Sequence, residues 1–426
     1  TWALVILFSD VNYNKTSKMK IEETDVLIIG AGPAGSVAAG ILHNHNIRVI
    51  MVEKEKFPRF VIGESLLPRC MEAFEEAGFM DDLKRQGYQT KNGALFLRGD
   101  DKCDFDFNTQ YTQGWNWTWQ VQRAKFDSCM TENLVNRGVD LRFEQTVKAI
   151  EFDGSDSTTT VEGKEGNQYK IRARFIIDAS GYGRVIPKLF NLDRPSDLPP
   201  RMTLFAHVDD PRRGQFQAAD RIHAIVQEPH TWIWSIPFSD GTTSVGFVSN
   251  PEYFEGLNGS PEENLRALIA REPSVSARFQ GNKFLFEPRI LKGWSISTDK
   301  FFGDGFVLTG NVTEFLDPIF SSGVTLAAAS SQLAANIVVR KFRGEQVDWA
   351  ADYLAPMLEG VDVFRTYVMS WYNGRLQKIF FSKTIDETIK AQLCSVLAGY
   401  VWDYSNPYVR KHKERVESLA AMVGGD

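Results

Sequence analysis

Cysteine is scarce in this chain: Cys70, Cys103, Cys129 and Cys394 lie far apart, and no C-x-x-C pair occurs. That spacing argues against a thiolate zinc site or a redox dithiol and fits a reducing, cytoplasmic location. Histidine is little used, six in 426 residues, with no H-E-x-x-H or other ligand spacing, so no metal is expected. No apolar run reaches the ~18 residues of a membrane span, which argues against stable membrane anchoring. Acids and bases are interspersed and the net charge is −6. A basic stripe that could track phosphates is missing, so nucleic acid is not an expected partner. Internal repeats and low-complexity linkers are absent as well. The first residues, "TWALVILFSD", have an apolar core but neither a basic flank before it nor a small-residue cleavage site after it. Residues 1–23 are expected to form an extension outside the fold.

What the chain does have is apolar content, 43% over 426 residues, enough for a large core and two or three lobes. The strongest local signal is "TDVLIIGAGPAGSVAAGILHNHNIRVIMVEKEKFPR". Residues 26–29 form a short apolar run of the kind a buried parallel strand requires. Gly30, Gly32 and Gly35 follow with G-x-G-x-x-G spacing, residues 36–43 read as a helix of small residues, and 48–52 read as a second strand ending at Glu53. Gly30 permits the strand-to-helix turn, Gly32 lets a pyrophosphate approach the backbone, and Gly35 lets helix and strand pack closely. The helix N-terminus, which carries Pro33 and Ala34, offers N–H groups to phosphate. Glu53 stands where a carboxylate accepts from ribose hydroxyls, with Lys54 beside it. A dinucleotide site is the conclusion. No second such fingerprint marks a separate nicotinamide site.

Three later segments specify the dinucleotide. "VQRAKFD" (121–127), "RFIIDASGYGR" (174–184) and "GDGFVLTGNVTEFLDPIFSSGVTLAAAS" (303–330) occur in the order found in FAD enzymes built like para-hydroxybenzoate hydroxylase. The chain resembles that family. The resemblance implies FAD as cofactor, with Arg123 toward the pyrophosphate or ribityl chain, Asp178 and Gly181 in a glycine turn, and Asn311, Pro318, Gly323 and Val324 under the flavin. Its fold class is α/β: a Rossmann-like FAD-binding domain, an antiparallel sheet domain and a C-terminal helical tail. The FAD domain is expected at 24–200 and 285–330, with 85–122 contributing to a pocket roof. The β-rich runs "MTLFAHVDD", "IHAIVQE", "TWIWSIPF" and "TTSVGFVSN", with "GWNWTWQVQ", suggest the sheet, placed at 201–284. Residues 331–426 carry apolar positions at i, i+3 and i+4 and read as helices, with a kink or break at Pro356. The basic run "VRKHKER" (409–415) reads as a solvated helix face or a docking patch for an acidic carrier protein.

"TWIWSIPF" (231–238) places Trp232, Trp234 and Ile236 on one face of a strand, and Pro237 cannot continue an interior strand. Core packing alone would explain such a stripe. However, "WIWSIP" matches the W-x-W-x-I-P signature of flavin-dependent halogenases, and two further segments accompany it. "GYQTKNGALF" (87–96) holds Lys91, Ala94 and Phe96 in the K-x-x-A/V-x-F context of the family's lysine. "FLDPIFSSGV" (315–324) resembles its F-x-D-P-x-x-S-x-G-V element, especially in enzymes acting on pyrrole or phenol rings. "FPRFVIGESLLP" (57–68) resembles its G-E-S segment along the flavin ring, through Gly63, Glu64 and Ser65.

The resemblance implies that reduced FAD, delivered by a separate flavin reductase, activates oxygen and oxidises chloride or bromide to hypohalous acid. Lys91 then holds the oxidant, as a haloamine or by hydrogen bond, and presents it to a small aromatic substrate, free or on an acyl carrier protein. Ser322 and Gly323 are the implied halide cradle. Lys91, Trp232 and Trp234 are the candidate catalytic residues, the two indoles as a barrier between substrate and flavin. The chain departs from the family at Asn311, where an aspartate is usual, and at Thr313 and Glu314, where small residues are commoner. Phe320 falls where tryptophan halogenases carry a glutamate, which counts against free tryptophan as substrate. The rival readings on this scaffold are a hydroxylating or epoxidising monooxygenase and a reductase of carbon–carbon double bonds resembling geranylgeranyl reductases. A non-enzymatic FAD-binding protein is the remaining one.

Overall fold

The apolar run at 26–29 is the buried end of a longer strand, Ile21–Ile29, in a computed structural model that describes residues 20–423. Residues 21–23, expected outside the fold, therefore belong to it, because each pairs with 170–172 of a neighbouring strand. Residues 1–19 of the expected extension lie outside the described residues. Ile21–Ile29 is flanked in parallel by Val49–Val52 and Gln168–Asp178, and beyond these by Asp140–Arg142 and Phe306–Leu308. The loops that leave these strands gather at one edge of the sheet, the place where open parallel sheets bind ligands. The helix Pro33–Asn44 follows the first strand, and its small residues let the long helix Ser322–Phe342 pack closely against it. Ser322–Phe342 is long and apolar enough to cross a membrane, yet 78% of its most apolar window is buried inside the protein.

A second, seven-stranded sheet lies across the cavity at that edge. Its order is Arg289–Lys292, Met202–Asp209, Thr242–Ser249, Thr231–Pro237, Ile222–Glu228, Gly93–Arg98, Asp101–Asp106. All neighbours are antiparallel except Ile222–Glu228 with Gly93–Arg98. Thr231–Pro237 is buried at every position because the sheet is covered on both faces. Trp232, Trp234 and Ile236 join the main core, whereas Ile233 packs with Phe247, Leu265 and Leu268.

The expected layout needs four corrections. Residues 201–284 are not all sheet: Pro251–Phe254, Pro261–Arg271 and Pro273–Phe279 are helices that cap its outer face. Arg289–Lys292, assigned above to the FAD domain, is the edge strand of this sheet. Of "GWNWTWQVQ" only Thr118–Gln120 is strand, and it pairs with Gln89–Lys91 in a separate ribbon. The helical region starts at Ser322 rather than 331. At Pro356 the break takes the form of a π-helical turn, Ala350–Leu354, leading into Ala355–Tyr372 with the proline in its first turn, where its missing N–H costs nothing.

Candidate active site

The two sheets enclose a cavity of about 650 Å³. Gly30, with φ +99°, opens it: a Cβ there would lie 2.5 Å from the carbonyl oxygen of Ala179. A Cβ on Gly35 would collide with the carbonyl oxygen of Gly30, which explains the small residue although Gly35 itself does not line the cavity. Gly32, Pro33 and Ala34 line it, as do Glu53 and Lys54. Glu53 Oε2 accepts from Ala31 N at 2.8 Å and Oε1 from Glu55 N at 2.9 Å. The carboxylate thus ties the glycine loop to the second strand, in addition to facing the cavity.

Arg123 lines the cavity and forks onto both oxygens of buried Asp127, at 2.8 and 2.9 Å. Arg59, which no motif marked, also lines it and reaches the same carboxylate at 3.0 Å. One carboxylate between two guanidiniums leaves a net positive charge held in fixed geometry, which suits a pyrophosphate. Ser65 Oγ, Thr309 Oγ1 and Glu64 Oε2 are buried in this wall without hydrogen-bond partners. Cavity size, glycine clearance, paired arginines and orphaned polar atoms all fit FAD.

Asp178 does not reach the cavity. Its carboxylate accepts from Ser180 N at 3.0 Å and Ile186 N at 2.7 Å, and so shapes the turn that brings Gly181 (φ +57°) to the wall. Its place in the expected cofactor contacts is corrected to a support for that turn. Asn311, Pro318, Gly323 and Val324 line the cavity, as do Gly63, Glu64 and Ser65. Thr313 and Glu314 do not: the threonine hydroxyl bonds Gly310 O at 2.7 Å, and Glu314 pairs with Arg365.

Ser321 takes the left-handed conformation (φ 56°) and starts the helix Ser322–Phe342, which has no side-chain cap. Its first N–H groups are free of intrahelical partners. Ser321 and Gly323 line the cavity, whereas Ser322 is buried beside it without lining it. Of the expected halide cradle, Gly323 is therefore on the wall and Ser322 is not, and the Ser321 N–H is taken up by Pro318 O at 3.0 Å. A Cβ at Gly323 would sit 3.0 Å from the Phe315 ring, a tight contact that the ring would have to yield to.

Lys91 occupies a separate cavity of about 20 Å³, and the residue is 2% exposed. Nζ donates to Leu66 O at 2.7 Å, and the Phe107 ring lies 5.8 Å away. Burial brings the amine down from 10.5 to about 7, so much of it is uncharged near neutrality. Ala94 and Phe96 line this cavity, as does Phe320, which packs on Phe96 and Trp371. Ile222, Ala224, Ile319 and Ser321 line both cavities and form the partition between them. Trp232 and Trp234 line only the larger one, so the partition between the two cavities is made by these four smaller residues and not by the indoles. The indoles are pinned instead: Trp232 Nε1 donates to Tyr372 Oη and Trp234 Nε1 to Ser244 Oγ, each at 3.0 Å.

Comparison with known proteins bears on this geometry. A family model described as FAD binding domain matches residues 23–352. A 1H-pyrrole-2-carbonyl peptidyl-carrier-protein chlorinase of Pseudomonas fluorescens is 25% identical over 95% of this chain and 95% of its own. A tryptophan 2-halogenase of Chondromyces crocatus is 31% identical over 77% of this chain, which spans 63% of that protein. Among solved structures, a flavoprotein/dehydrogenase from Cytophaga hutchinsonii is 53% identical, with a TM-score of 0.93 over 95% of this chain and 99% of that one.

Proposed function

The chain belongs to the FAD binding domain family, among its flavin-dependent halogenases, and on that premise we propose that it halogenates a small aromatic ring, with Lys91 carrying the oxidised halogen. Bound and reduced, FAD supplies activated oxygen that oxidises chloride or bromide. Arg123 and Arg59 hold the cofactor's phosphates, and the glycine loop gives them room. The N–H groups that begin the helix at Ser322 hold the halide beside Gly323. Reduction comes from a separate flavin reductase, since the chain has one dinucleotide fingerprint.

Buried Lys91, across a thin apolar partition from the cofactor cavity, carries this reading. The neutral amine can take the halogen from hypohalous acid, with an N–halogen bond replacing N–H and water leaving. The ammonium can instead hold the acid by hydrogen bond. A rising rate through about pH 7 selects the first role and a falling rate the second. Phe320 in place of a carboxylate makes the acceptor site apolar, which favours a pyrrole or phenol over free tryptophan. The chlorinase named above acts on a carrier-bound pyrrole, so a carrier-tethered substrate is the form to test first.

The test supplies reduced FAD, oxygen and bromide to wild type and Lys91→Ala, with pyrrole or phenol acids offered free and carrier-bound. Mass spectrometry should find brominated product with wild type only. FAD binding and oxygen consumption should persist in the variant. Product from Lys91→Ala would overturn the role of the lysine. The name of the 53% identical structure keeps a reductase reading in play; a hydrogenated, bromide-independent product would select it, and a hydroxylated one a monooxygenase.

A further inference from the structure

Glu64 lines the large cavity on a short segment with two other duties. Ile62 O accepts from Arg123 at 3.1 Å, and Leu66 O accepts from Lys91 Nζ at 2.7 Å. Glu64 thus stands between the arginine that serves the phosphates and the lysine proposed to carry the halogen. Its Oε1 lies 2.5 Å from His207 Nε2. Its Oε2 is buried and has no partner in the protein. A buried carboxylate oxygen left unpaired is costly, so this atom is placed for a donor that the chain itself does not provide.

His207 sits behind the carboxylate on Met202–Asp209, away from the cavity. Phe60, Phe238 and Phe286 surround it with ring centroids 5.8, 5.1 and 5.0 Å away. These rings bring no charge. The charged groups on the cavity side are Arg59, Arg123, Arg289, Glu53, Lys54 and Glu55, with Lys91 beyond Leu66. Asp127 is engaged by Arg59 and Arg123, and Arg289 stacks on Phe60 and Phe286. In such surroundings a carboxylate and an imidazole in contact are a place to keep one proton. Bound to the pair, the proton makes it neutral overall; without it, one negative charge remains.

We propose that Glu64 and His207 form a redox-linked proton store: Glu64 touches the bound FAD or the ligand above it, and His207 takes up a proton when the flavin is reduced. The inference rests on FAD binding, not on halogenation. Two electrons and one proton on the flavin leave one extra negative charge in the cavity. Coulomb attraction between that charge and a proton on the pair favours uptake of the proton. The balance is two electrons and two protons taken up, one proton on the flavin and one on the imidazole. The electrons come from a reductase's nicotinamide in the working enzyme. Turnover of singly protonated reduced FAD, oxygen, halide and an aromatic C–H to FAD, halogenated product and two waters consumes two protons. The store supplies one of them. Glu64 is then a residue in contact with the reacting system, and His207 a positioning residue that acts through it.

The test is a spectroelectrochemical titration of the FAD-loaded protein between pH 6 and 8, with an electrode and mediator dyes and no halide or substrate. Wild type should show a dependence of midpoint potential on pH that is steeper than the one-proton value. Glu64→Gln and His207→Asn should fall to the one-proton value. A one-proton slope in wild type overturns the proposal without any variant, even if the variants fail to fold. Equal slopes in all three proteins also overturn it and leave the pair a packing feature. Because nothing is halogenated, the outcome does not depend on whether bromination succeeds in the experiment above.

Discussion

The hydroxyl of Tyr372 joins Trp232 to Asp317: it accepts from the indole Nε1 at 3.0 Å and lies 3.1 Å from the carboxylate Oδ2. Asp317 Oδ1 in turn accepts from Ile319 N at 3.0 Å, and Ile319 is part of the partition between the two cavities. The W-x-W-x-I-P strand, the D-P loop and the helical tail are thereby one hydrogen-bonded unit. Burial raises the Tyr372 hydroxyl well above its usual range, so it stays protonated and donates.

Tyr372→Phe leaves the Trp232 N–H without its acceptor and Asp317 Oδ2 without its donor. Each buried unsatisfied group costs about 1–3 kcal/mol, so a loss on the order of 2 kcal/mol or more is expected. Urea unfolding of the two proteins, followed by tryptophan fluorescence, measures it. An unchanged midpoint would show that the network contributes no stability.

Asp317 gives a pH dependence with a definite sign. Desolvation raises its carboxyl from 3.8 to about 6, so between those values the folded state holds a proton that the unfolded chain has released. Its contribution to stability is full below about pH 4 and is lost as the pH rises through about 6. Asp317→Asn should remove that component, so the difference in unfolding free energy between variant and wild type should change by on the order of 3 kcal/mol across this window and stay flat above it. Parallel stability curves from pH 4 to 7 would contradict the assignment.

Lys91 should trade stability for function. With its folded value near 7 and its free value at 10.5, the unfolded chain binds more protons between the two, so its contribution improves as pH rises across that range. Below pH 7 the protein bears the full cost of the buried ammonium. Lys91→Met keeps the side-chain volume and should stabilise the fold at pH 6 by about 2–4 kcal/mol, after the lost bond to Leu66 O is deducted. The advantage should shrink toward pH 10. Thermal midpoints at pH 6, 8 and 10 test this, and a variant that is less stable at pH 6 refutes it.

Gly246 lies opposite Trp234 on the adjacent strand, and a Cβ there would run into the indole. Gly246→Ala should push the ring toward the cavity and break its bond to Ser244 Oγ, at a cost of about 1–3 kcal/mol. FAD affinity, read by flavin fluorescence, should fall along with stability. Wild-type affinity in the variant would mean that the ring relaxes elsewhere.

Much of the cofactor site was legible because its parts are contiguous. Strand, glycine turn and helix from Ile21 to Asn44 follow one another directly, and steric limits at Gly30 and Gly35 act within a few residues. The placement of Trp232, Trp234 and Ile236 on one face follows from strand alternation alone. Lys91 was marked by motif resemblance alone, and the walls that bury it, among them Leu67, Phe107, Ile222 and Phe320, come from segments far apart in the chain.

The remaining features depend on partners far apart in the chain. His207 meets Glu64 across 143 positions and Tyr372 meets Trp232 across 140. Arg59 reaches Asp127 across 68. No periodicity links such residues, so neither the second arginine nor the proton-holding pair could be read in advance. Asp178 shows the converse: the motif marked it correctly as special, but the fold spends its carboxylate on two backbone N–H groups rather than on the cofactor cavity. The sequence by itself determined the class of fold and the cofactor, because local backbone sterics and short motifs encode them. Only the tertiary structure decided what separates Lys91 from the large cavity, because that partition is made by Ile222, Ala224, Ile319 and Ser321, whose meeting depends on how one sheet closes over another.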